Sequence, residues 1–343
     1  FFGFYRRLQL GVYYGLDSHR LDFSTSYAVP TRTLGLNGTF DVSGYKIEGR
    51  QDFTLSLALR RRVELIKPPT QQLTVGVNYH ELTDQRYVIN PLFYQTGADV
   101  APLEVKYEAD PQFDILRTKS ELAVRLGREW FGGKYKYTRF LGMSNFETRR
   151  SLVPFDMGLR VFLGVVSGSM PNQQKFNLAG GGVLAQEKLF FLQSPGAIWP
   201  NAHYLMPGEG DLRGYAKGTF PVNQLLTTNF KLGGNLPWIS QRRDRWFGEV
   251  KLNAFADAGA ILDGSNPIAG DPRIQELFDK GVFDRGLFYA GLGHRVRRSF
   301  PFWDMYLRYD VPFYVNVPEI NGETKETDYR YLFSLTSVFS FSL

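Results

Sequence analysis

The strongest constraint on the fold is a strict alternation of apolar and polar residues that recurs along most of this 343-residue chain. Successive side chains of a β-strand point to opposite faces, so the alternation predicts strands with one apolar and one polar face. In the clearest run, the apolar set is Phe53, Leu55, Leu57, Leu59 and Val63, and the polar set is Asp52, Thr54, Ser56, Arg60, Arg62 and Glu64. The pattern predicts an all-β, antiparallel fold.

The apolar faces of these predicted strands stay nearly free of charge over about ten residues, a length that crosses a bilayer at a tilt. A charge on a lipid-facing position costs about 2–4 kcal/mol near the bilayer midplane, which explains such clean faces. A soluble sandwich also has alternating strands, so alternation alone does not exclude it. We expect a transmembrane antiparallel β-barrel of about sixteen strands. It is predicted to span residues 1–343.

The gaps between the predicted strands differ in length. Those at 182–218, 260–285 and 314–327 are long, and those near 30–32, 128–132 and 298–302 are short. Long extracellular loops and short periplasmic turns are typical of outer-membrane barrels. The region 81–112 has two interpretations: a strand pair at Arg86–Tyr94 and Leu103–Glu108, or a loop that lowers the strand count by two.

One segment, from about Gly180 to Phe220, interrupts the alternation. It contains Gly208-Glu209-Gly210-Asp211-Leu212-Arg213-Gly214-Tyr215, where an arginine lies between glycines that allow tight backbone bends. A loop of this length inside a compact chain is either disordered or functional. We expect residues 182–218 to form a long extracellular loop that folds into the barrel lumen.

Four short motifs follow one another in the second half of the chain. They are Arg213-Gly214-Tyr215, Phe255-Ala256-Asp257-Ala258-Gly259, Gly291-Leu292-Gly293-His294-Arg295 and Arg308-Tyr309-Asp310-Val311-Pro312. In order and spacing they resemble motifs of the outer-membrane assembly and surface-antigen superfamily, the BamA/TamA-like family that includes the two-partner secretion transporters. The resemblance covers roughly residues 205–343, whereas the first half contributes only strand alternation.

The resemblance implies a sixteen-stranded barrel whose sixth extracellular loop enters the lumen, where its arginine contacts an acidic residue on the thirteenth strand. Alternation independently puts Asp257 on the polar face of its strand and its neighbour Ala256 on the apolar face. We predict the pair Arg213–Asp257, with Glu249 and Asp310 as second choices, while the alternative is an ordinary exposed Arg213. The predicted site is Arg213, Gly214, Tyr215 and Asp257, supported by the motif residues Phe255, Gly259, Gly291, Gly293, Arg308 and Asp310.

Two positions depart from the family pattern. The strand after the loop carries Lys231 where the family usually has a glutamate, near Asn229, so part of the usual loop-docking network is in question. The final residue is Leu343, where such barrels normally end in an aromatic residue. We expect either a degenerate assembly signal or a true terminus beyond this sequence.

No pattern typical of an enzyme or a cofactor site occurs in the sequence. The absence of Cys excludes disulfides, thiol nucleophiles and zinc–thiolate sites. The histidines are too scattered to suggest a metal site: they are His19, His80, His203 and His294. The net charge of +6 is spread among 34 acidic residues and predicts no nucleic-acid partner. We expect no catalysis, no metal and no cofactor.

Several bases fall on the polar faces of the predicted strands, and they have two interpretations. They favour acidic or unfolded clients, or they pair with carboxylates of the barrel wall. The bases are Arg60, Arg62, Arg117, Lys119, Arg160, Arg295 and Arg297, and the carboxylates are Glu64, Glu121, Asp156, Asp304 and Asp310.

The first functional hypothesis is an insertase or translocase of the bacterial outer membrane that handles β-barrel precursors or secreted polypeptides. Its expected partners are outer-membrane lipid, unfolded polypeptide clients and assembly lipoproteins. The alternative is a membrane anchor or export barrel of a larger surface enzyme. A passive porin is less favoured, because the loop would obstruct its lumen. Since the sequence starts at Phe1, in a strand pattern, we expect it to be a processed or truncated piece, with any N-terminal periplasmic or enzymatic domain outside it.

Overall fold

The computed structural model describes part of the chain, and most of the described residues lie in fifteen strands. The described residues are 6–14, 21–33, 36–47, 50–61, 71–83, 95–111, 113, 115–148, 155–178, 210, 212, 221–235, 249–262, 276, 279–281, 286–300 and 303–316. The strands are β1 Arg7–Tyr14, β2 Leu21–Thr33, β3 Leu36–Ile47, β4 Arg50–Arg61, β5 Gln71–Leu82, β6 Gly97–Ala109, β7 Leu116–Gly127, β8 Lys136–Thr148, β9 Asp156–Ser169, β10 Phe176–Asn177, β11 Pro221–Val222, β12 Gln224–Asn235, β13 Glu249–Ile261, β14 Leu287–Phe300 and β15 Trp303–Val315.

Thirteen of these strands form one sheet in the order β1 to β9 and then β12 to β15, while β10 and β11 pair separately. Within the described residues, each strand pair whose register is defined is antiparallel, so the predicted all-β, antiparallel fold is confirmed. Four of the five strands predicted after the long loop are β12 to β15. The fifth, from Phe333 to Leu343, lies outside the described residues, so the predicted count of sixteen stays a prediction.

The register aligns apolar residues with apolar residues across the sheet. One row crosses six strands at Val29, Phe40, Leu57, Val75, Val105 and Val124. Because facing residues in an antiparallel pair point to the same side, the alternation within each strand becomes two faces of the sheet. We call them the apolar face and the polar face.

The region 81–112 contains one long strand, β6, so the interpretation of this whole stretch as a loop is wrong. β6 pairs directly with β5, and the predicted strand at Arg86–Tyr94 lies outside the described residues. The register shifts near Gly76, opposite Pro102 and Leu103. A bulge of this kind tolerates proline, which lacks the N–H for the ladder, and it switches the faces of the residues before it.

The loop-length pattern needs correction at two of its short gaps. Residues 30–32 lie inside β2. The connection after β7 leaves the sheet at the same edge as the long connection after β9, because Arg125 Nη1 near the end of β7 donates to Gln174 Oε1 just after β9, at 3.3 Å. Two antiparallel strands bring the chain back to the edge from which it started. Short and long connections therefore share one edge.

Two compact units divide the chain. The first unit is Phe1–Gln112, Thr118–Ser144 and Leu163–Lys175, and the second is Phe113–Arg117, Asn145–Phe162 and Phe176–Leu343. Among the described residues, no helix is both long and apolar enough to cross a membrane.

Candidate functional site

The two ends of the long loop are held together in the second unit. β10 and β11 pair antiparallel, with Phe176 opposite Val222 and Asn177 opposite Pro221. Phe176 is fully buried and meets the Phe162 ring edge-on, with the ring centroids 5.5 Å apart. This stem brings Leu178 and Pro221, at the two ends of the predicted loop, close together.

Leu212, the residue before the predicted arginine, packs against β13. It is 0% exposed, and its backbone N–H donates to Leu178 O at 3.1 Å. A Cβ added at Gly259 would lie 2.6 Å from Leu212 Cδ1 and 3.3 Å from Thr227 Cγ2. Gly259 and Thr227 face each other on β13 and β12. The absence of a side chain at Gly259 therefore makes the space that Leu212 occupies.

Arg160 of β9 contacts both the loop backbone and the strand that follows the loop. Its Nη1 donates to Asn229 Oδ1 at 2.9 Å and to Gly210 O at 3.4 Å. Its guanidinium also lies over the Phe162 ring, 5.3 Å from the centroid. No local sequence pattern predicts this contact, because Arg160 and Gly210 are fifty residues apart. Asn229 is mostly buried and is hydrogen-bonded here, at the position next to the departure at Lys231.

Asp257 lies on the polar face and is 0% exposed. It faces Asn229 on β12 and Tyr289 on β14. A carboxylate removed from water requires hydrogen bonds or a counter-charge, since burial of an unpaired charge costs several kcal/mol. Its face and burial agree with the sequence prediction. Arg213, Gly214 and Tyr215 lie outside the described residues, so the pair Arg213–Asp257 stays a prediction.

The register separates Asp257 from the two second-choice partners. Asp257 is two residues from Gly259 on β13, about 7 Å along the strand at about 3.4 Å per residue. Glu249 is ten residues from Gly259, about 34 Å along the same strand. Asp310 aligns, through Gly293, with Asn253, about 20 Å from Gly259. Of the three carboxylate positions, Asp257 is therefore the nearest along the strands to Gly259, against which Leu212 packs.

The supporting motif residues lie on neighbouring strands. Phe255 is buried on the polar face of β13 and faces Gly291 of β14, which is also buried. Gly293 lies between Asn253 and Asp310 in the next row. Arg308 faces Arg295, four positions along β14 from Gly291. The three strand motifs thus meet in one row, Phe255–Gly291–Pro312, and the β14 and β15 motifs continue to pair with each other as far as Arg295 and Arg308.

A second polar cluster, in the first unit, was missed by the sequence analysis. Asp99 of β6 is 1% exposed, and its Oδ2 accepts hydrogen bonds from Arg125 Nη2 at 2.8 Å and from the Tyr137 hydroxyl at 2.9 Å. Arg125 also holds Gln174, at the root of the long loop. Beside the cluster, Gln95 Oε1 accepts the Asn172 N–H at 3.2 Å. Simple alternation does not predict this cluster, because the bulge in β6 changes which residues lie on the polar face.

The turn between β7 and β8 borders this cluster. The Tyr135 hydroxyl donates to Thr96 O at 3.4 Å, and burial, reinforced by the Asp99 carboxylate, raises the pKa of that hydroxyl above its usual value. Tyr135 is thus a neutral donor over the whole physiological range. A Cβ at Gly127 would overlap the Tyr137 ring, so the glycine lets that ring lie against β7.

The polar face of the first unit carries ladders of paired side chains. Lys106 Nζ lies 3.2 Å from Glu121 and 3.3 Å from Glu108, and His80 Nδ1 lies 3.3 Å from Asp52. Arg60 Nε donates to Gln72 Oε1 at 2.8 Å. Arg60 and Glu121, for which wall pairing is one of two interpretations of the sequence, thus contact side chains of neighbouring strands, Gln72 and Lys106.

Comparison with known proteins identifies structural relatives only. No family model and no curated protein matches the chain. It is similar to CdiB from Escherichia coli, with a TM-score of 0.49 and 11% identity over 86% of this chain and 46% of that one. It is also similar to BamA from Haemophilus ducreyi lacking POTRA domains 1–3, with a TM-score of 0.43 and 12% identity over 90% of this chain and 66% of that one.

The chain spans about half the length of the CdiB structure and about two-thirds of the BamA structure.

Proposed function

We propose that this chain lies in the bacterial outer membrane, with its apolar face in contact with lipid. The support is the exposure of large apolar side chains along that face: Leu10 is 73% exposed, Val12 71% and Phe23 55%. Soluble proteins rarely expose apolar patches of more than a few hundred Å². Apart from β1, the strands of the main sheet have twelve to fourteen residues, enough to cross a bilayer at a tilt.

The turn between β7 and β8 fits the boundary of such a membrane. Trp130 is 57% exposed and Phe131 is 89% exposed, and Lys134 follows them. Phe131 has a φ of 52°, a left-handed conformation uncommon for an aromatic residue, and the Gly133 N–H closes the turn on Trp130 O. Aromatic and basic residues are enriched together at the membrane–water interface.

We propose further that the chain is an insertase or translocase of the BamA-like type, with its long loop folded against the polar face of the sheet. The observation that carries this proposal is the burial of Leu212 against Gly259, directly before Arg213. A passive pore does not require its loop to dock on the wall. In this proposal Arg213 forms an ion pair with Asp257, and the loop, with Gly214 and Tyr215, shapes the path of the client.

The partners in this proposal follow from the two faces. Outer-membrane lipid covers the apolar face, and an unfolded polypeptide client meets the polar face with its hydrogen-bonding ladders. Assembly lipoproteins are further candidate partners, and no catalytic reaction, metal or cofactor is proposed.

A charge-swap experiment tests the ion pair. Arg213→Asp and Asp257→Arg each leave two like charges beside each other, so each is expected to lower both the stability of the folded chain and its activity. The double variant restores opposite charges and is expected to recover part of both. Glu129→Arg, on the exposed turn after β7, is the matched charge reversal and should change neither. Full tolerance of both single variants would contradict the pair.

Depletion of the whole protein tests the proposed activity. The levels of other outer-membrane barrels and of secreted polypeptides are then measured in the membrane fraction and in the medium. Loss of one of these two classes supports an insertase or a translocase, respectively. Unchanged levels of both, with loss of a surface hydrolase activity, would instead support the anchor of a larger enzyme.

A further inference from the structure

A groove of about 420 Å³ runs over the apolar face of the first unit, across β2 to β5. Its walls include Phe23, Thr25, Gly44, Lys46, Phe53 and Tyr79. Thr25, Gly44, Phe53 and Tyr79 form one row, each facing the next on the neighbouring strand. Phe53 begins the apolar set of β4 and is 47% exposed, so the groove opens on the outer surface and not on the polar face.

Gly44 creates the floor of this groove. A Cβ at Gly44 would lie 3.2 Å from Asp52 O and 3.7 Å from Phe53 Cδ2, so the backbone side is already tight and a larger side chain must extend into the groove. The rings of Phe23 and Phe53 stand on either side, 55% and 47% exposed. A flat sheet surface thus has, at this one row, an apolar channel between aromatic walls.

A cation stands at one end of the channel. Lys46 is the next-to-last residue of β3, faces Phe23 on β2 and Gln51 on β4, and is exposed. No hydrogen bond or ion pair of Lys46 occurs within the described residues. The carboxylate of Glu81, which faces Gln51 from β5, already accepts a hydrogen bond from the Tyr79 hydroxyl at 2.8 Å. Within the described residues, the end of the groove therefore has a lysine without a hydrogen-bond or ion-pair partner, beside a carboxylate that already accepts a hydrogen bond.

We propose that the groove binds one anionic phospholipid, with an acyl chain along Gly44 between Phe23 and Phe53 and with the phosphate on Lys46. This inference rests on the proposed location in a membrane. The end of a strand lies near the headgroup level of a bilayer, and a basic residue there attracts lipid phosphate. Because bulk lipid tails are as apolar as the groove, selective retention depends on the charge of Lys46 and the shape set by Gly44.

The test uses the full chain in detergent, freed of lipid and titrated with phosphatidylglycerol or phosphatidylcholine under native mass spectrometry. We expect one phosphatidylglycerol to bind in preference to phosphatidylcholine. Lys46→Glu should weaken the binding of phosphatidylglycerol about fivefold or more, the effect of losing one basic contact with an anionic headgroup. Gly44→Leu should fill the channel and weaken both lipids.

Two matched controls separate the groove from general effects. Lys136→Glu reverses another exposed charge, at the start of β8, and Val42→Phe adds bulk to the apolar face of β3 outside the groove. Both should bind phosphatidylglycerol as the unchanged chain does. If Gly44→Leu fails to fold, Phe53→Ala removes one wall instead, and Lys46→Glu leaves the packing intact.

Equal binding by Lys46→Glu and the unchanged chain, or equal affinity for the two lipids, would overturn the groove proposal. The membrane location is tested separately, by measuring whether the unchanged chain stays in membranes that are washed with alkaline carbonate. Retention combined with unaltered lipid binding by the variants would contradict the groove alone, whereas loss of the chain in the wash would contradict the location itself.

Discussion

Asp99 is a buried carboxylate of the first unit, and its removal should destabilise the fold. It is 1% exposed and holds the Arg125 guanidinium and the Tyr137 hydroxyl on the same carboxylate oxygen. Removal of one partner from a buried ion pair leaves the other charge uncompensated, which costs about 3–5 kcal/mol. We expect Asp99→Ala to lower the free energy of unfolding by about that amount, measured by urea titration in detergent micelles.

Asp52 provides the matched control for this prediction. It belongs to the same polar face and contacts His80 at 3.3 Å, but its side chain is 28% exposed. Exposed pairs contribute little, so Asp52→Ala should cost under about 1 kcal/mol. If the two variants lose the same free energy of unfolding, the Asp99–Arg125 contact contributes no more than an ion pair exposed to solvent.

The long loop, at the scale of an element, depends on contacts from two strands of the main sheet and from the stem of β10 and β11. Arg160 of β9 contacts Gly210, Gly259 of β13 receives Leu212, and the β10–β11 stem closes the base. Since the chain has no cysteine, a single Cys at position 212 reports on this docking without background. Leu212→Cys should react slowly with a water-soluble maleimide, because the position is fully buried.

Loss of the Arg160 contacts should expose that cysteine. Hydrogen bonds to charged groups contribute about 1.5–3 kcal/mol, so Arg160→Ala in the Leu212→Cys chain should raise the labelling rate roughly tenfold or more. Arg160→Lys keeps the charge and should give an intermediate rate. Lys119→Cys, an exposed position on β7, should label at one rate in both backgrounds. An unchanged rate at position 212 would show that Arg160 does not hold the loop.

The elements show which parts of the fold follow from alternation and which do not. Alternation predicts strands wherever a regular ladder keeps the two faces separate, as in β4 and β12 to β15. It fails over β6, because the bulge opposite Val77 switches the faces between Asp99 and Glu104. The sequence does not reveal such a switch, since the extra residue is defined only by its pairing with β5.

The candidate site divides in the same way. The polar-face position of Asp257 is predictable, because it needs only the parity of one strand. The contacts of Leu212 with Gly259 and of Arg160 with Gly210 join segments far apart in the chain. Such contacts follow from the path of the loop over the sheet, which no local pattern encodes. The sequence does contain one indication of this docking. Leu212 lies between Asp211 and Arg213, and an apolar residue in a polar, glycine-rich loop needs a surface on which to pack.

At the scale of the whole molecule, substitutions at two neighbouring residues on opposite faces test whether the apolar face contacts lipid. Leu57 lies in the six-strand apolar row, and Ser56 lies beside it on the polar face, opposite Asp41 and Gly76. An arginine on a lipid-facing position near the bilayer midplane costs about 2–4 kcal/mol, whereas one at Ser56 gains a carboxylate neighbour. We therefore expect Leu57→Arg to impair insertion into lipid vesicles, measured by urea titration and by heat-dependent migration in gels, and Ser56→Arg to insert as the unchanged chain does. If Ser56→Arg and Leu57→Arg insert equally well, the apolar face does not contact lipid, and the membrane location proposed for this chain is wrong.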